Sequence, residues 1–150
     1  MKIRTLTKEV VKAKPYSVWN AFVDLLAMEH YDDLTPEQRP AHLVFWYESE
    51  VQNGGHLQYF ENRGIGHLAE TIEGLGLLGA TCQQQVPRDA SQMWLGHPHP
   101  RIQTAREYCD IALKDEFGSF DSRFYVCTPT LQKCLEAQLS RHQSSFVAFT

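Results

Sequence analysis

Residues 47–62 read Tyr-Glu-Ser-Glu-Val-Gln-Asn-Gly-Gly-His-Leu-Gln-Tyr-Phe-Glu-Asn, and the triplet Asn53-Gly54-Gly55 separates two helical segments within them. Asparagine and glycine tolerate the left-handed conformations that close a helix at its C-terminus, so the triplet predicts the end of one helix. An Asn-Gly hairpin would need alternating strands on both sides, and neither flank alternates. Residues 56–62 then resemble two helical turns, which Arg63-Gly64 ends.

Helical signals continue on both sides of this stretch and predict an all-α fold, an irregular multi-helix bundle. Pro15 opens a broad apolar stripe over residues 16–31. Thr35-Pro36-Glu37-Gln38 has the form of a capping box and predicts the start of the helix that runs to Val51. Further helices are predicted from Leu68, over 101–113 and from Thr128-Pro129.

Core positions follow from the spacing of apolar residues in the later helices. The inward residues predicted for 101–113 are Ile102, Ala105, Cys109 and Ala112. Those predicted for the last helix are Leu131, Cys134, Leu135 and Leu139. Residues 83–101 are predicted to be the least regular part, because Val86-Pro87 breaks the chain, and the aromatic-rich segment 117–125 is ambiguous.

Length and composition fit one globular domain of 150 residues with 43% apolar residues. The four cysteines form no CxxC pair and are too sparse for a disulfide scaffold, so we expect free thiols in a reducing cytosol. No apolar run reaches the length of a membrane span, and the first residues lack the apolar core of a secretory signal. A cytoplasmic location is therefore expected.

The net charge of −4 is distributed unevenly along the chain. A basic arm, residues 1–14, carries +4 and is predicted to be extended or to form a short strand, while the single helical domain, 15–150, carries −8. That negative charge lies within 24–73, which contains ten acidic residues and only two basic ones, Arg39 and Arg63. Such a body repels nucleic acid and favours a basic protein partner. The acidic residues expected to bind it are Asp32, Asp33, Glu37, Glu70 and Glu73.

Three other patterns carry weaker chemical signals. Residues 64–69 fit GxGxxG/A, but the preceding strand and the later acid of a dinucleotide site are missing, so turn glycines are the better interpretation. His97 and His99 could ligate a metal only with a third partner that the sequence does not supply. His67, Glu70 and Glu73 share a helix face without a nucleophile or oxyanion donor. We therefore predict no catalytic residue, no metal and no cofactor.

The stretch 47–62 resembles the signature of a bacterial family named for the C-terminal domain of a DNA-mimic protein. Members share an acid-rich helix end, Asn-Gly-Gly and a short Gln-Tyr-Phe helix. Weaker matches follow at 69–80 and at Phe120-Asp121-Ser122-Arg123-Phe124-Tyr125, so that the resemblance covers most of 40–142. His56 stands where the family usually carries a bulky aromatic residue.

The resemblance implies an all-α domain without known catalysis. The family's namesake is a dimer whose acidic surface imitates DNA phosphates and occupies a DNA-binding transcription factor. A homodimer and a transcription-factor partner are thus implied for this chain. Duplex DNA carries one charge per about 1.7 Å of axis, so a body of −8 with a basic arm is modestly charged for such mimicry.

Two hypotheses compete with an acidic binding module. One is an enzyme or small-molecule binder with a pocket near the Asn-Gly-Gly turn, and the other is an antidote or immunity-type protein that also captures a basic target. The residues of the motif would form either a structural scaffold or that pocket: Glu48, Glu50, Asn53, Gly54, Gly55, His56, Gln58 and Tyr59.

Overall fold

The computed structural model describes residues 1–96, 98 and 100–150, and in this part of the chain it confirms an all-α, irregular multi-helix fold. Its helices are α1 (Lys8–Ala13), α2 (Ser17–Met28), α3 (Arg39–Arg63), α4 (Leu68–Leu77), α5 (Thr81–Leu95), α6 (Ala105–Ala112), α7 (Gly118–Val126) and α8 (Leu131–His142). Short 3-10 helices occupy Tyr31–Asp33 and Gln143–Ser145. None of the described helices is both long enough and apolar enough to span a bilayer.

The two ends of the chain meet in a small parallel sheet. Strand β1 (Arg4–Leu6) pairs with strand β2 (Val147–Phe149), with Arg4 opposite Val147. The buried amide of Gln38 donates to the carbonyls of Lys2 at 2.6 Å and Ser145 at 2.7 Å, which ties both ends to the start of α3. The basic arm thus contains the short strand predicted for it, followed by α1.

The core forms where α2, both ends of α3 and α8 bring their apolar faces together. Phe22, Leu25 and Leu26 of α2 are fully buried, as the predicted stripe over 16–31 requires. The inward face of α8 is also confirmed, since its four predicted core residues are all buried: Leu131, Cys134, Leu135 and Leu139. Phe146, next to β2, packs edge-on against Phe22 with ring centroids 4.8 Å apart.

The predicted start of α3 at Thr35 is wrong by about one helical turn, because Thr35 to Gln38 form a turn instead. Half of the capping box is present: the Gln38 side-chain oxygen accepts the Thr35 N–H at 3.0 Å. The hydroxyl of Thr35 has no hydrogen-bond partner among the described residues. A second proline, Pro40, occupies the first turn of the helix, where its missing N–H is not needed.

Two predictions about the second half of the chain are wrong. Residues 81–95 form a continuous helix despite Pro87, which is buried with Val86 and Ala90 against α4 and α7. Of the four inward residues predicted for 101–113, Ala105, Cys109 and Ala112 are exposed in α6, and Ile102 is half-buried but lies before the helix begins. Tyr108 and Ile111 pack against the core instead, and the Tyr108 hydroxyl donates to the carbonyl of Gly54 at 3.3 Å.

The expectation of four free thiols is also wrong. A disulfide joins Cys82, at the start of α5, to Cys127, just after α7, across 45 residues of sequence. Cys109 is free and exposed, and Cys134 is free and buried. The bond closes a loop of chain that contains the whole segment predicted to be irregular, 83–101, so it constrains the part of the chain with the weakest helical pattern.

Candidate functional site

The Asn-Gly-Gly triplet interrupts α3 as predicted, but by folding it back rather than ending it. Gly54 (φ −154°, ψ 22°) and Gly55 (φ 70°, ψ −170°) leave the helical conformation, and the chain resumes a helix at once. At about 1.5 Å per residue, a straight helix would hold Glu50 and Arg63 about 20 Å apart. In the fold Arg63 Nε lies 3.3 Å from Glu50 Oε1. We call this feature the glycine kink, residues 54 and 55.

Glu50 connects the two halves of α3 across the glycine kink. Its side chain is almost fully buried, and its carboxylate accepts hydrogen bonds from the amides of Gln58 and Asn62, each at 2.8 Å, and from Arg63. Asn53 donates to the Gln58 side-chain oxygen at 3.1 Å. A buried carboxylate is tolerated only when it is paired and hydrogen-bonded, and these partners meet that need.

His56 follows the glycine kink and lies in a chain of three hydrogen-bonded side chains. Asp121 Oδ1, from α7, accepts the His56 backbone N–H at 2.9 Å and its Nδ1–H at 2.7 Å. With Nδ1 protonated in the neutral imidazole, Nε2 accepts from the Tyr47 hydroxyl, 2.8 Å away. The position where the family usually has an aromatic residue is thus a polar core contact that joins α7 to both halves of α3.

This Asp–His–Tyr chain resembles an acid–base relay, but its inner members are sealed from solvent. Tyr47 and His56 are both 0% exposed, while the Asp121 side chain is 29% exposed. Burial raises the pKa of Tyr47 well above its ordinary value, so its hydroxyl stays protonated and donates to His56. Tyr47 and His56 position the short helix after the kink, and Asp121 is the member of the chain that reaches solvent.

The remaining motif residues point elsewhere. Glu48 faces α8, and burial raises the pKa of its carboxyl group. The pKa of the Cys134 thiol is raised by burial first and by the charge of Glu48 second. Tyr59 is buried, with its ring centroid 4.9 Å from that of Tyr47. Glu48, Glu50 and His56 therefore contact three different sets of neighbours and do not converge on one cleft.

A cleft of about 330 Å³ does open beside the glycine kink. Gly54, Leu57 and Phe117 contribute to its wall, and Asp121 is the member of the Asp–His–Tyr chain that reaches it. The charged side chains around it are mostly acidic: Glu61, Asp115 and Glu116, with Lys114. A small-molecule site near the motif would lie here.

All five acidic residues predicted to bind a partner are exposed. The Tyr31 hydroxyl donates a hydrogen bond to Glu70. This bond links α4 to the 3-10 helix on which Asp32 and Asp33 lie. The hydrogen bond from Tyr31 is the largest cause that lowers the pKa of Glu70, and the hydrogen bond from His67 is the second. The Glu70 carboxylate is therefore fully ionised at neutral pH. A shallow cleft of about 250 Å³ lies between the two elements, with Pro36, Glu70 and Glu73 in its wall. We call the five residues the acidic surface: Asp32, Asp33, Glu37, Glu70 and Glu73.

The basic arm neutralises other acids of the 24–73 segment. Arg4 forms ion pairs with Asp24 at 2.5 Å and with Glu29 at 2.8 Å, and Lys2 reaches Glu29 at 3.4 Å. The hydrogen bond from Arg4 is the main cause that lowers the pKa of Glu29. The ion pairs of the arm do not involve the acidic surface, where Arg39 is the nearby cation that acts on Glu70.

The weaker sequence signals do not form sites in the described part of the chain. Residues 64–67 form a turn that follows a helix, so no strand precedes the GxGxxG/A pattern. His97 and His99 lie outside the described residues, and within those described no group of three or more His, Cys, Asp or Glu could hold a metal. His67 Nδ1 lies 3.2 Å from Glu70, without a nucleophile beside them.

Sequence reasoning missed the partners that arrive from a distance. Asp121 lies 65 positions from His56, and Tyr108 lies 54 positions from the carbonyl of Gly54 that it binds. Asp121 did fall within one of the weaker family matches, which was the one signal that pointed to it. Arg63 contacts Glu50 only because α3 folds back at the glycine kink. Helical periodicity does not predict a contact between residues so far apart on one helix.

Comparison with known proteins places the chain in a family but adds no named relative. Neither a search of curated proteins nor a search of solved structures found a match. The family model described as DMP19-like protein matches residues 32–142. That span includes the glycine kink, the acidic surface and Asp121, and it exceeds half of the chain, so the protein belongs to the DMP19-like family.

Proposed function

We propose that the protein is a non-enzymatic binding module that uses the acidic surface to capture a basic partner protein. The observation that carries the proposal is the exposure of all five predicted acids on the 3-10 helix Tyr31–Asp33, the turn that follows it and α4, next to acids that the basic arm already neutralises. A cluster in which carboxylates outnumber the nearby Arg39 steers an oppositely charged protein towards it and repels nucleic acid. The family resemblance suggests a DNA-binding transcription factor as the partner.

The absence of accessible acid–base chemistry in the motif supports a binding role over catalysis. Tyr47 and His56 are buried, and the Glu50 carboxylate already accepts hydrogen bonds from Gln58, Asn62 and Arg63. These residues hold α3 in its folded-back shape. The proposal therefore treats the motif as the scaffold and the acidic surface as the binding site.

Charge reversal with a matched control tests the proposal. One variant carries Asp32→Lys, Glu37→Lys and Glu73→Lys, which leaves the hydrogen bond between Tyr31 and Glu70 intact. The control changes the net charge equally at three exposed acids outside the acidic surface: Glu9→Lys, Asp110→Lys and Glu136→Lys. Both variants and the wild type are immobilised and exposed to lysate of the native host at low and at raised salt, and the eluted proteins are identified by mass spectrometry.

We expect a basic protein to be captured by the wild type and by the control at low salt and to be lost at raised salt, because exposed charges are screened within about 8–10 Å. The acidic-surface variant should not capture it. Equal capture by the two variants would refute the assignment of the surface. An antidote role would give the same pattern with a toxic partner, so the identity of the captured protein decides between the two.

Three further expectations belong to this proposal. A cytoplasmic location is checked by cell fractionation, which also bears on whether Cys82 and Cys127 are oxidised in the cell. Self-association, expected from the dimeric namesake, is measured by sedimentation. Direct nucleic-acid binding is expected to be undetectable in a gel-shift experiment at low salt, where electrostatic attraction would be strongest.

A further inference from the structure

A second cleft shares no lining residue with the cleft beside the glycine kink, and the proposed capture of a partner does not use it as a binding pocket. It has a volume of about 430 Å³, which is within the range of small-molecule sites. Its wall comes from the end of α2, both halves of α3 and the start of α4. We call it the Trp46 cleft after one of its lining side chains, and the polar and aromatic side chains of interest in it are His42, Trp46, Arg63, Tyr31 and His67.

His42 supplies a hydrogen-bond acceptor in this wall. The side chain is 7% exposed, and its Nδ1 lies 2.9 Å from the carbonyl oxygen of Leu26, to which it donates. Burial lowers the pKa of His42, so the ring is neutral at pH 7 and Nε2 carries a lone pair. Within the described residues Nε2 has no hydrogen-bond partner. An unpartnered acceptor on a side chain that is otherwise almost fully buried selects a ligand that brings an O–H or N–H group.

Arg63 supplies a cation that the glycine kink delivers to the cleft. A straight α3 would separate Trp46 from Arg63 by about 25 Å, yet the guanidinium carbon lies 3.8 Å from the Trp46 ring centroid. Glu50 binds the Nε side of the guanidinium, while its terminal amino groups form no ion pair with the described residues. Those groups have the fork geometry that binds a carboxylate.

Aromatic rings form the apolar part of the wall. The rings of Tyr31 and His67 pack against each other at a tilt of 37°, with centroids 4.1 Å apart, and the Trp46 indole donates to the carbonyl oxygen of Leu26 at 3.2 Å. Two carboxylates also line the cleft: Glu29, which Arg4 and Lys2 engage, and the exposed Asp32. A single guanidinium beside these acids favours a singly charged ligand over a phosphate dianion.

We propose that the Trp46 cleft binds a small aromatic carboxylate whose ring bears a hydroxyl or N–H group. The carboxylate binds the terminal amino groups of Arg63, the ring packs among Trp46 and Tyr31, and the ring donor bonds to Nε2 of His42. The cleft shares Asp32 with the acidic surface, so binding of such ligands is measured on the isolated protein, without a partner.

Three related compounds test each recognition element with the purified full-length protein. 4-Hydroxyphenylacetate carries all elements, phenylacetate lacks the ring hydroxyl, and tyramine replaces the carboxylate by an amine. Binding is measured by calorimetry and by the NMR signal of the Trp46 indole N–H, assigned with a Trp46→Phe variant. We expect 4-hydroxyphenylacetate to bind at millimolar concentration or below, phenylacetate to bind about tenfold more weakly and tyramine not to bind.

The variant His42→Asn provides the decisive control, because the asparagine amide can still donate to Leu26 while the Nε2 acceptor is removed. In this variant, 4-hydroxyphenylacetate and phenylacetate should bind with equal affinity, and circular dichroism should match that of the wild type. The proposal is overturned if none of the compounds shifts the Trp46 signal, or if the wild type binds all three alike.

Discussion

Replacing Gly55 by alanine tests whether the glycine kink and Asp121 stabilise each other. Gly55 has φ 70° and ψ −170°, a conformation that is open almost only to glycine. A Cβ placed there would lie 2.9 Å from Asp121 Cγ and closer still to Oδ2, so the carboxylate must move away. Because that carboxylate accepts both hydrogen bonds from His56, the substitution strains the backbone and breaks a core contact together.

The two effects can be estimated separately. Holding a non-glycine residue in this backbone region costs about 1–3 kcal/mol. Each hydrogen bond to a charged group contributes about 1.5–3 kcal/mol, and we take the lower end because the Asp121 side chain is 29% exposed. Partial relaxation of Asp121 would retain some of this energy. The expected loss in the free energy of unfolding for Gly55→Ala is therefore about 3–5 kcal/mol.

Two other glycines make the controls. Gly64 has nearly the same backbone conformation, φ 60° and ψ −152°, but no described atom lies within 4 Å of the position its Cβ would take. Gly64→Ala should therefore show the backbone cost alone, about 1–3 kcal/mol. Gly66 has neither constraint, and Gly66→Ala should change stability by no more than about 0.5 kcal/mol. Urea denaturation of the three variants measures these losses. If Gly55→Ala loses no more than Gly64→Ala, the packing of Asp121 against the kink does not stabilise the fold.

Three further substitutions give separate tests. Arg4→Gln should lower the free energy of unfolding by about 1 kcal/mol at low salt and by less at high salt, because its partly exposed ion pairs are screened; a salt-independent loss in urea melts would contradict this. Cys82→Ser should cost about 2–4 kcal/mol without reductant, since the bond to Cys127 closes 45 residues of chain, and should match the wild type in dithiothreitol; a wild type insensitive to reductant would contradict the bond. Burial lowers the pKa of His42 in the folded protein. As the pH falls below about 6.5, the imidazole becomes protonated in the unfolded chain before it does in the folded chain, so the free energy of unfolding decreases. His42→Asn should lose less stability than the wild type in that pH window, and identical pH profiles by thermal melting would refute the role of the buried imidazole.

The local signals in the sequence predicted the helices and the interruption of α3, because both depend on neighbours along the chain. The Asn-Gly-Gly triplet predicted the break, and the spacing in 131–139 predicted the buried face of α8. What the triplet could not predict is the direction of the chain after the break. That direction depends on Asp121 and Tyr108, which reach the glycines from α7 and α6.

The errors arise where tertiary packing overrides local preference. Pro87 removes one backbone hydrogen bond from α5, at a cost of about 3 kcal/mol in an isolated helix. Burial of Val86, Pro87 and Ala90 against α4 and α7, together with the disulfide at Cys82, offsets that cost. Four cysteines can pair in several ways or can all remain free thiols, and nothing in their spacing distinguishes these outcomes. A breaker residue is thus weak evidence against a helix whose neighbours cover it.

The acidic surface shows why net charge along a sequence is a poor measure of charge on a surface. The segment 24–73 carries −8 by composition, yet Asp24 and Glu29 face the basic arm, and Glu50 is buried beside Arg63. Charges interact through space, so lysine and arginine residues far away in sequence can neutralise acids that no local count would pair with them. The part of the segment that we propose to attract a partner is the acidic surface, which lies outside these ion pairs. For this reason reversing three of its charges should abolish capture, while the same change in net charge elsewhere should not.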